Sequence, residues 1–217
     1  MNAPVDLDGC RSRESSVTTV LMVRHADVHN PDNIVYGRLP RYRLSETGRE
    51  QVASLAESLA RLNVAAIYAS PQLRARQTAA ELARELGCGR VGRSSLILEV
   101  LTGHQGRPNS ILTGNMNFYD TPATPDDETI PMVARRMRRF LDRVHRRHAG
   151  EIVIGVSHAD PIMILRAQVL GLPLVIKSIQ GKYYPAKCSI MQFSFVSGQD
   201  RPVVIYRELV KDETKGK

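Results

Sequence analysis

The sequence predicts an α/β protein, a three-layer αβα sandwich whose central sheet is mostly parallel and has an antiparallel edge. Three short aliphatic segments, at 17–23, 65–69 and 152–156, alternate with helix-like segments. This alternation is typical of parallel sheets that are covered by helices on both faces. The strand-like segments are rich in aliphatic residues, as expected for strands that are buried on both sides. Two further strand-like segments near the C-terminus predict an edge hairpin.

The first half of the predicted fold contains two strands and two helices. The strand at 17–23 leads through a polar loop to a helix at about 45–62. A strand at 65–69 then leads directly to a helix that ends near Leu86. Ser70-Pro71 is the start signal of this helix, because proline has a preset φ and needs no amide proton in a first turn.

The second half begins with a short predicted strand at 95–98 and a stretch rich in Gly, Pro and Asn at 102–125. Long loops of this kind are usually functional, so we expect it to form part of a lid or a substrate wall. A basic helix at 134–148 has apolar residues at helical spacing and arginines on its other face, which indicates a solvated amphipathic helix. The remaining predicted elements are a strand at 152–156, a helix at about 160–170, and two strands at 188–196 and 202–208.

Length and composition predict one catalytic domain between two polar tails. A chain of 217 residues with 42% hydrophobic residues can bury one sizeable core. We expect this domain at 17–210, a flexible N-terminal tail at 1–16 and a polar C-terminal tail at 211–217. The N-terminal tail lacks the apolar segment of a secretory signal, and no stretch of the sequence reaches the length of a membrane span.

Cysteine usage predicts a reduced, cytoplasmic protein. The number of cysteines is odd, they are widely spaced, and they lack the paired spacing of metal ligands. Free thiols in a reducing compartment are the simplest interpretation. The three cysteines are Cys10, Cys88 and Cys188.

The net charge predicts an anionic partner. A formal charge of +8 and a pI of about 9.7 suit phosphorylated or carboxylated substrates, and would also suit nucleic acid. No nucleic-acid-reading motif is present, and an aromatic content of 5% offers few platforms for base stacking. We therefore expect a small phosphorylated substrate as the partner, and neither nucleic acid nor membrane. A basic nucleic-acid-binding module is a weaker alternative, and a homodimer is compatible with the sequence.

Cationic and titratable side chains follow the predicted parallel strands. Arg24 and His25 come directly after the first strand, and His158 follows the strand at 152–156. Arg74 lies in the first turns of the helix after the middle strand. Because the carboxyl ends of parallel strands meet at one edge of a sheet, we expect these four side chains to surround one anion-sized pocket beside helix N-termini. Imidazole can attack phosphorus and guanidinium can hold phosphoryl oxygens, so the pattern predicts phosphoryl chemistry.

These segments resemble the histidine phosphatase superfamily, also called phosphoglycerate-mutase-like, which implies that fold. Arg24-His25-Ala26 is similar to the family's Arg-His-Gly start, and Ser157-His158-Ala159 to its Ser-His-Gly segment, each with Ala in place of Gly. The stretch 70–79 looks like Ser-Pro-x-x-Arg-Ala-x-Gln-Thr-Ala, and 44–51 looks like Leu-Thr-x-x-Gly-x-x-Gln. The resemblance covers roughly 17–172, and several ordered motifs are together far more specific than any single one.

The resemblance implies a catalytic set that needs no metal and no cofactor. His25 would attack the phosphorus of a monoester, and Glu99 would protonate the departing oxygen and then activate the hydrolytic water. Charge on the non-bridging oxygens would be neutralised by Arg24, Arg74 and His158. An Asp or a backbone carbonyl must orient the other nitrogen of His25, and the sequence does not identify it.

Arg38 is implied as a further substrate contact, because it falls on a family position that often helps to bind a second acidic group. It also clusters with Arg41 and Arg43, so a solvated charge cluster is an equal alternative. His29 and His104 lie in predicted loops near the pocket. Exposed loop histidines are common, and a substrate contact is the less favoured interpretation for both.

The sequence therefore predicts a metal-independent phosphomonoester hydrolase of the histidine acid phosphatase type, which acts through a phosphohistidine on a small phosphorylated metabolite. A cofactor-dependent phosphoglycerate mutase is one alternative. Such mutases carry a Glu-Arg-x-Tyr-Gly-type stretch and a long insertion after the acid, and this chain has neither at a recognisable place. An inactive phosphate-binding or regulatory protein is the other alternative, because Ala26, Ala159 and the loop after Glu99 depart from the family pattern.

Overall fold

A computed structural model of the chain describes residues 17–112 and 117–208. The tails expected at 1–16 and 211–217, and with them Cys10, lie outside the described residues. Within these ranges, six strands form one mixed sheet in the order β3-β2-β4-β1-β5-β6. The strands are β1 (Thr18–Arg24), β2 (Val64–Ala69), β3 (Gly92–Arg93), β4 (Ile152–Ser157), β5 (Ile190–Phe195) and β6 (Val203–Arg207).

The sheet is parallel from β3 to β1 and antiparallel from β1 to β6, which confirms the predicted edge hairpin. In the parallel part, Arg24 at the end of β1 pairs with Ser157 at the end of β4. Ala69 at the end of β2 pairs with Val156 of β4. The carboxyl ends of three neighbouring strands therefore lie level with one another.

Helices cover both faces of the sheet, as the sandwich prediction requires. On one face, alternate residues of β1 such as Leu21 and Val23 pack with the buried sides of α1 and α2. On the other face, Val20 and Met22 pack with those of α3 and α4. The α-helices among the described residues are α1 (Glu46–Leu59), α2 (Leu73–Glu85), α3 (Ile130–Arg147), α4 (Ala159–Leu170) and the short α5 (Ile176–Ile179).

The start of α1 is fixed against the loop that follows β1. The Ser45 side chain caps the helix by accepting a hydrogen bond of 3.0 Å from the amide of Gly48, and it donates one of 2.7 Å to Asp27. A Cβ atom at Gly48 would collide with the backbone carbonyl oxygen of Asp27. Glycine at this position therefore allows α1 to lie close behind the strand end that carries the candidate site.

The strand predicted at 95–98 is wrong. Ser95–Ile97 forms a 3-10 turn, and the strand of this region is Gly92–Arg93. The carbonyl oxygens of Leu96 and Leu98 both accept hydrogen bonds from the Arg136 side chain. Because those acceptors bind a guanidinium, they are not available for a strand ladder.

Two other boundaries differ from the prediction. The basic helix α3 begins at Ile130 rather than near 134, because Thr129 caps it and Pro131 is tolerated in a first turn. The loop predicted at 102–125 contains a 3-10 helix at Asn109–Leu112. Its residues 113–116 lie outside the described part of the chain.

Candidate active site

A cavity of about 370 Å³ opens where β1 and β4 end. This volume suits a metabolite-sized ligand. Its lining combines cationic, acidic and aromatic side chains with residues of the 102–125 loop. The charged and aromatic lining residues are Arg24, His25, Tyr36, Glu99, Phe118, Asp160 and Tyr184.

His25 lies buried at the base of this cavity, with 1% of its surface exposed. Its Nδ1 donates a hydrogen bond of 2.7 Å to the carbonyl oxygen of Ala26, because a carbonyl can only accept. The proton is thereby assigned to Nδ1, and Nε2 keeps its lone pair. Burial, followed by the charges of Lys187 and Arg74, holds the pKa of His25 well below its usual value of 6.5. The neutral ring is therefore the favoured form.

Arg74 joins the two histidines from behind the cavity. Its Nε donates to Nε2 of His25 at 3.2 Å, and its Nη2 donates to Nδ1 of His158 at 3.2 Å. Nη2 also donates to the carbonyl oxygen of Gly37 at 2.7 Å, and the ring of Tyr36 lies 4.6 Å from Cζ. These contacts fix the plane of a guanidinium that is 1% exposed.

His158 is held by a chain of side-chain hydrogen bonds from the start of α2. Ser70 Oγ donates to the Gln72 amide oxygen at 2.8 Å, so it accepts the 2.9 Å bond from Nε2 of His158. The lone pair of His158 is thus on Nδ1, which faces Arg74. Burial and the charge of Arg74 keep the pKa of His158 well below 6.5.

One donor of the Arg24 side chain is buried without an acceptor among residues 17–112 and 117–208. Its Nη1 donates to the carbonyl oxygen of Pro185 at 2.7 Å. Its Nε has no hydrogen-bond partner within the described residues, although the atom is buried. An unpaired buried guanidinium donor is costly unless an anion binds to it. Arg24 therefore brings a buried donor that could bind an anion to the lining of the cavity.

Glu99 places a carboxyl group in the lining of this cavity. Its Oε2 lies 3.5 Å from Nδ1 of His158 and 3.8 Å from Nη2 of Arg74, and its Oε1 accepts from the Val100 amide at 3.0 Å. Burial raises the pKa of Glu99 above its usual value of 4.5, against the opposing charge of Arg74. A carboxyl group of this kind keeps a proton to higher pH than a solvated glutamate.

Arg38, like Arg74 and His158, is absent from the lining of the cavity. Its Nε donates to the carbonyl oxygen of Glu99 at 2.8 Å, and Nη2 pairs with Glu128 at 2.7 Å. Arg136 binds the same carboxylate at 2.9 Å and the same carbonyl at 3.2 Å. The geometry thus makes Arg38 a support for the backbone of Glu99.

The two loop histidines do not line the cavity either. His104 is buried, and its Nε2 lies 3.0 Å from the carbonyl oxygen of Thr121. His29 is exposed. Across residues 17–112 and 117–208, no group of three or more His, Cys, Asp or Glu side chains is placed to hold a metal ion. None of the described helices has the length and apolar character needed to cross a membrane.

Four residues beside the cavity were missed by sequence reasoning. Asp160 lies two positions after His158 in the first turn of α4, so proximity to a motif could have identified it. It accepts hydrogen bonds of 2.7 Å from the hydroxyls of Tyr119 and Tyr184. Lys187 donates to the Tyr36 hydroxyl at 3.2 Å, and burial lowers its pKa to about 7. The loops that carry Tyr119, Tyr184 and Lys187 have no motif that would have identified them.

Comparison with known proteins supports one family. The chain is 36% identical over 163 residues to the uncharacterised protein Rv0525 of Mycobacterium tuberculosis, which covers 71% of this chain and 79% of that protein. It is 27% identical over 205 residues to phosphoserine phosphatase 1 of Hydrogenobacter thermophilus, covering 87% and 90% of the two chains.

Among solved structures, YhfR of Bacillus stearothermophilus has the same fold. It matches with a TM-score of 0.75 and 23% identity, over 89% of this chain and 98% of YhfR. The family model for the histidine phosphatase superfamily (branch 1) matches residues 20–205. This range includes both strand-end histidines, both arginines and the acid. The chain therefore belongs to the histidine phosphatase superfamily.

Proposed function

We propose that this protein is a metal-independent phosphomonoester hydrolase that acts through a phosphohistidine on a small phosphorylated metabolite. The observation that carries the proposal is the state of His25. Its Nδ1 proton is bound to the Ala26 carbonyl, and its Nε2 lone pair lies beside the Arg74 guanidinium at 3.2 Å. A neutral imidazole with a fixed lone pair next to an anion site can act as a nucleophile toward phosphorus.

In the first step, the Nε–H of Arg74 passes from Nε2 of His25 to a non-bridging phosphoryl oxygen. The freed lone pair of Nε2 forms a bond to phosphorus while the bond from phosphorus to the ester oxygen breaks. Glu99 supplies the proton to the departing oxygen, so the leaving group is an alcohol rather than an alkoxide. Arg24 and Arg74 carry the charge that develops on the non-bridging oxygens. The pKa directions support this division, because burial disfavours the protonated form of His25 and the ionised form of Glu99.

In the second step, Glu99 is the base. Its carboxylate takes a proton from water as the water oxygen attacks phosphorus and the bond to Nε2 breaks. Inorganic phosphate leaves, His25 is again neutral and Glu99 is again protonated. The negative charge on the phosphoryl oxygens needs no added cation, because Arg24 and Arg74 provide fixed positive charge beside the reacting atoms.

The cavity and the relatives support a small substrate. A volume of about 370 Å³ leaves room for a phosphoryl group and a short alcohol. The Hydrogenobacter relative is named for a small phosphoamino acid. The chain also lacks the sequence features that distinguish the mutases, and we therefore favour hydrolysis over mutase turnover.

The test is phosphate release in the presence of EDTA, from a panel of phosphomonoesters that includes 3-phosphoglycerate. Wild type is compared with His25→Ala, and with His29→Ala as a histidine control outside the cavity. Radiolabelled substrate quenched in alkali reports the intermediate, since a phosphohistidine survives base and is lost in acid.

Phosphate release and an alkali-stable label that both vanish only in His25→Ala would support the proposal. Isomerisation of 3-phosphoglycerate without phosphate release would replace the hydrolase with a mutase. Phosphate binding with no label and no turnover would replace it with a binding protein. Activity that EDTA abolishes would overturn metal independence.

A further inference from the structure

Asp160 is a fixed carboxylate in the wall of the phosphate cavity. It lines the same space as Arg24 and His25, and is partly exposed to it. The Tyr119 hydroxyl donates to Oδ2 and the Tyr184 hydroxyl donates to Oδ1, each at 2.7 Å. The two tyrosines come from different loops, so the carboxylate is held from both sides.

The tyrosines remain donors across the working pH range. Burial, followed by the Asp160 charge, raises the pKa of both phenols well above the usual value of 10. Each carboxylate oxygen accepts one phenol hydrogen bond and retains capacity for another. The carboxylate can therefore bind a further donor on its cavity side without disturbing either tyrosine.

Asp160 has no cationic partner in the described part of the chain. No lysine, arginine or histidine side chain there lies within 4.0 Å of its oxygens. The guanidinium carbon of Arg24 instead lies 5.7 Å from the centroid of the Tyr184 ring. A substrate that fills the cavity displaces water from the carboxylate, and a buried charge without a counter-ion is unfavourable.

Aromatic side chains complete the environment of this carboxylate. Phe118 and Tyr184 line the cavity, and the ring of Tyr119 lies 4.4 Å from that of Phe118. A carboxylate among aromatic rings suits an ammonium group, which gains an ion pair and favourable contacts with ring faces. A hydroxyl group could accept or donate one hydrogen bond there, but it would leave the charge of Asp160 uncompensated.

We propose that Asp160, held by Tyr119 and Tyr184, selects phosphomonoesters whose leaving alcohol carries an ammonium group. The proposal rests on the hydrolase function proposed above and narrows its substrate class to phosphates of amino alcohols. The phosphoryl group lies on the arginine side of the cavity and the ammonium group on the Asp160 side. A second anionic group on the alcohol is disfavoured, because Asp160 repels it.

The test uses substrates that differ only at the end of the alcohol. These are 2-aminoethyl phosphate, 2-hydroxyethyl phosphate and phosphoglycolate. The three-carbon amino and hydroxy esters are added to test a longer distance between the phosphoryl group and the end of the alcohol. We expect kcat/KM for the amino ester to exceed that for the hydroxy ester by about 10- to 100-fold, the range of a charge-assisted hydrogen bond. Phosphoglycolate should be the poorest of the three.

Asp160→Asn is the matched variant, because it keeps the shape and removes the charge. It should reduce the amino-to-hydroxy ratio to near unity while 4-nitrophenyl phosphate is still hydrolysed. Asp126→Asn removes the same charge from an exposed position outside the cavity lining, and should retain the wild-type ratio.

Equal turnover of the amino and hydroxy esters at both chain lengths would overturn the inference. A preference that persists in Asp160→Asn, or one that favours the hydroxy ester, would do the same. These failures are distinct from failure of the hydrolase itself. Loss of phosphate release from every ester, including 4-nitrophenyl phosphate, overturns the proposed function and the substrate class with it.

Discussion

Arg74 Nε lies 3.2 Å from Nε2 of His25, so the lone pair of the proposed nucleophile accepts a hydrogen bond from the guanidinium. The other end of this guanidinium is bound to the Gly37 carbonyl and to His158. The arginine can therefore hold a phosphoryl oxygen only in one orientation relative to the attacking nitrogen. Fixed orientation of this kind is a large part of phosphoryl-transfer catalysis.

Arg74→Lys should reduce kcat by about 10²- to 10³-fold, because lysine keeps the charge but loses the planar donors that reach His25 and His158 together. The measurement is steady-state kinetics with 4-nitrophenyl phosphate. Arg84→Lys, on the same helix but in an exposed pair with Glu85, is the control and should leave kcat unchanged. A wild-type kcat in Arg74→Lys would contradict the proposed role.

Glu99→Gln should separate substrates by their leaving group. Hydrolysis of alkyl phosphates needs a proton donor and should fall by about 10²- to 10⁴-fold. The first step with 4-nitrophenyl phosphate should change less, because nitrophenolate leaves without a proton. Rapid-mixing experiments should then show a nitrophenolate burst followed by slow turnover, since the second step lacks its base. An equal loss on both substrates, with no burst, would argue against Glu99 as the acid.

Lys187→Met should move the acid limb of the kcat/KM profile to higher pH. The Lys187 charge lowers the pKa of His25, so its removal raises that pKa. The neutral nucleophile is then lost earlier as the pH falls. The profile is measured with one substrate over the acid and neutral range. Lys182→Met, an exposed lysine of the same loop, should leave the limb in place.

Arg136→Lys should destabilise the protein and impair the proposed acid together. Arg136 binds Glu128 and three backbone carbonyls of the segment that carries Glu99. Breaking a largely buried pair of this kind costs about 3–5 kcal/mol at most, and lysine restores part of it. Denaturant unfolding gives the stability, and alkyl phosphate kinetics give the effect on Glu99. Arg138→Lys, in the half-exposed pair with Asp142, should change stability by less than about 0.5 kcal/mol.

Acid should destabilise the fold through His25 and His158. The pKa of each histidine in the folded state is below 6.5. Well above this pH, the histidines are therefore neutral in both the folded and the unfolded chain. As the pH falls below 6.5, the unfolded chain takes up protons that the folded chain excludes. Each histidine then removes at most about 1.4 kcal/mol per pH unit. Denaturant unfolding of His158→Asn on both sides of pH 6.5 should show a smaller loss, whereas His29→Asn should behave as wild type.

The convergence of Arg24, His25, Arg74 and His158 could be predicted from the sequence. Each lies at or just beyond the end of a strand, and parallel strands bring such ends together whatever the loops do. The motif alone identifies Glu99 as the candidate acid, but it does not indicate which side chains hold its backbone in place. That support comes from Arg38, Glu128 and Arg136, which are distant in sequence.

The remaining parts of the site depend on loop packing. Nothing in local periodicity indicates that Tyr119 and Tyr184 meet at Asp160, since 65 positions separate the two tyrosines in the chain. The wrong prediction of a strand at 95–98 has a related cause, because the distant Arg136 donates hydrogen bonds to carbonyl oxygens of this segment. Side-chain partners that lie far away in sequence override local preference in both cases.

A segment that follows the two histidines and Glu99 in the chain holds Arg24, one of the first residues of the site. Arg24 donates to Pro185, which lies 161 positions later, and its backbone pairs with Cys188 and Ser189 just before β5. A nascent chain on the ribosome therefore carries both histidines and the acid well before it carries the segment that fixes Arg24. Phosphate binding should therefore depend on the docking of β5 against β1, and the emergence of activity during translation would report that docking.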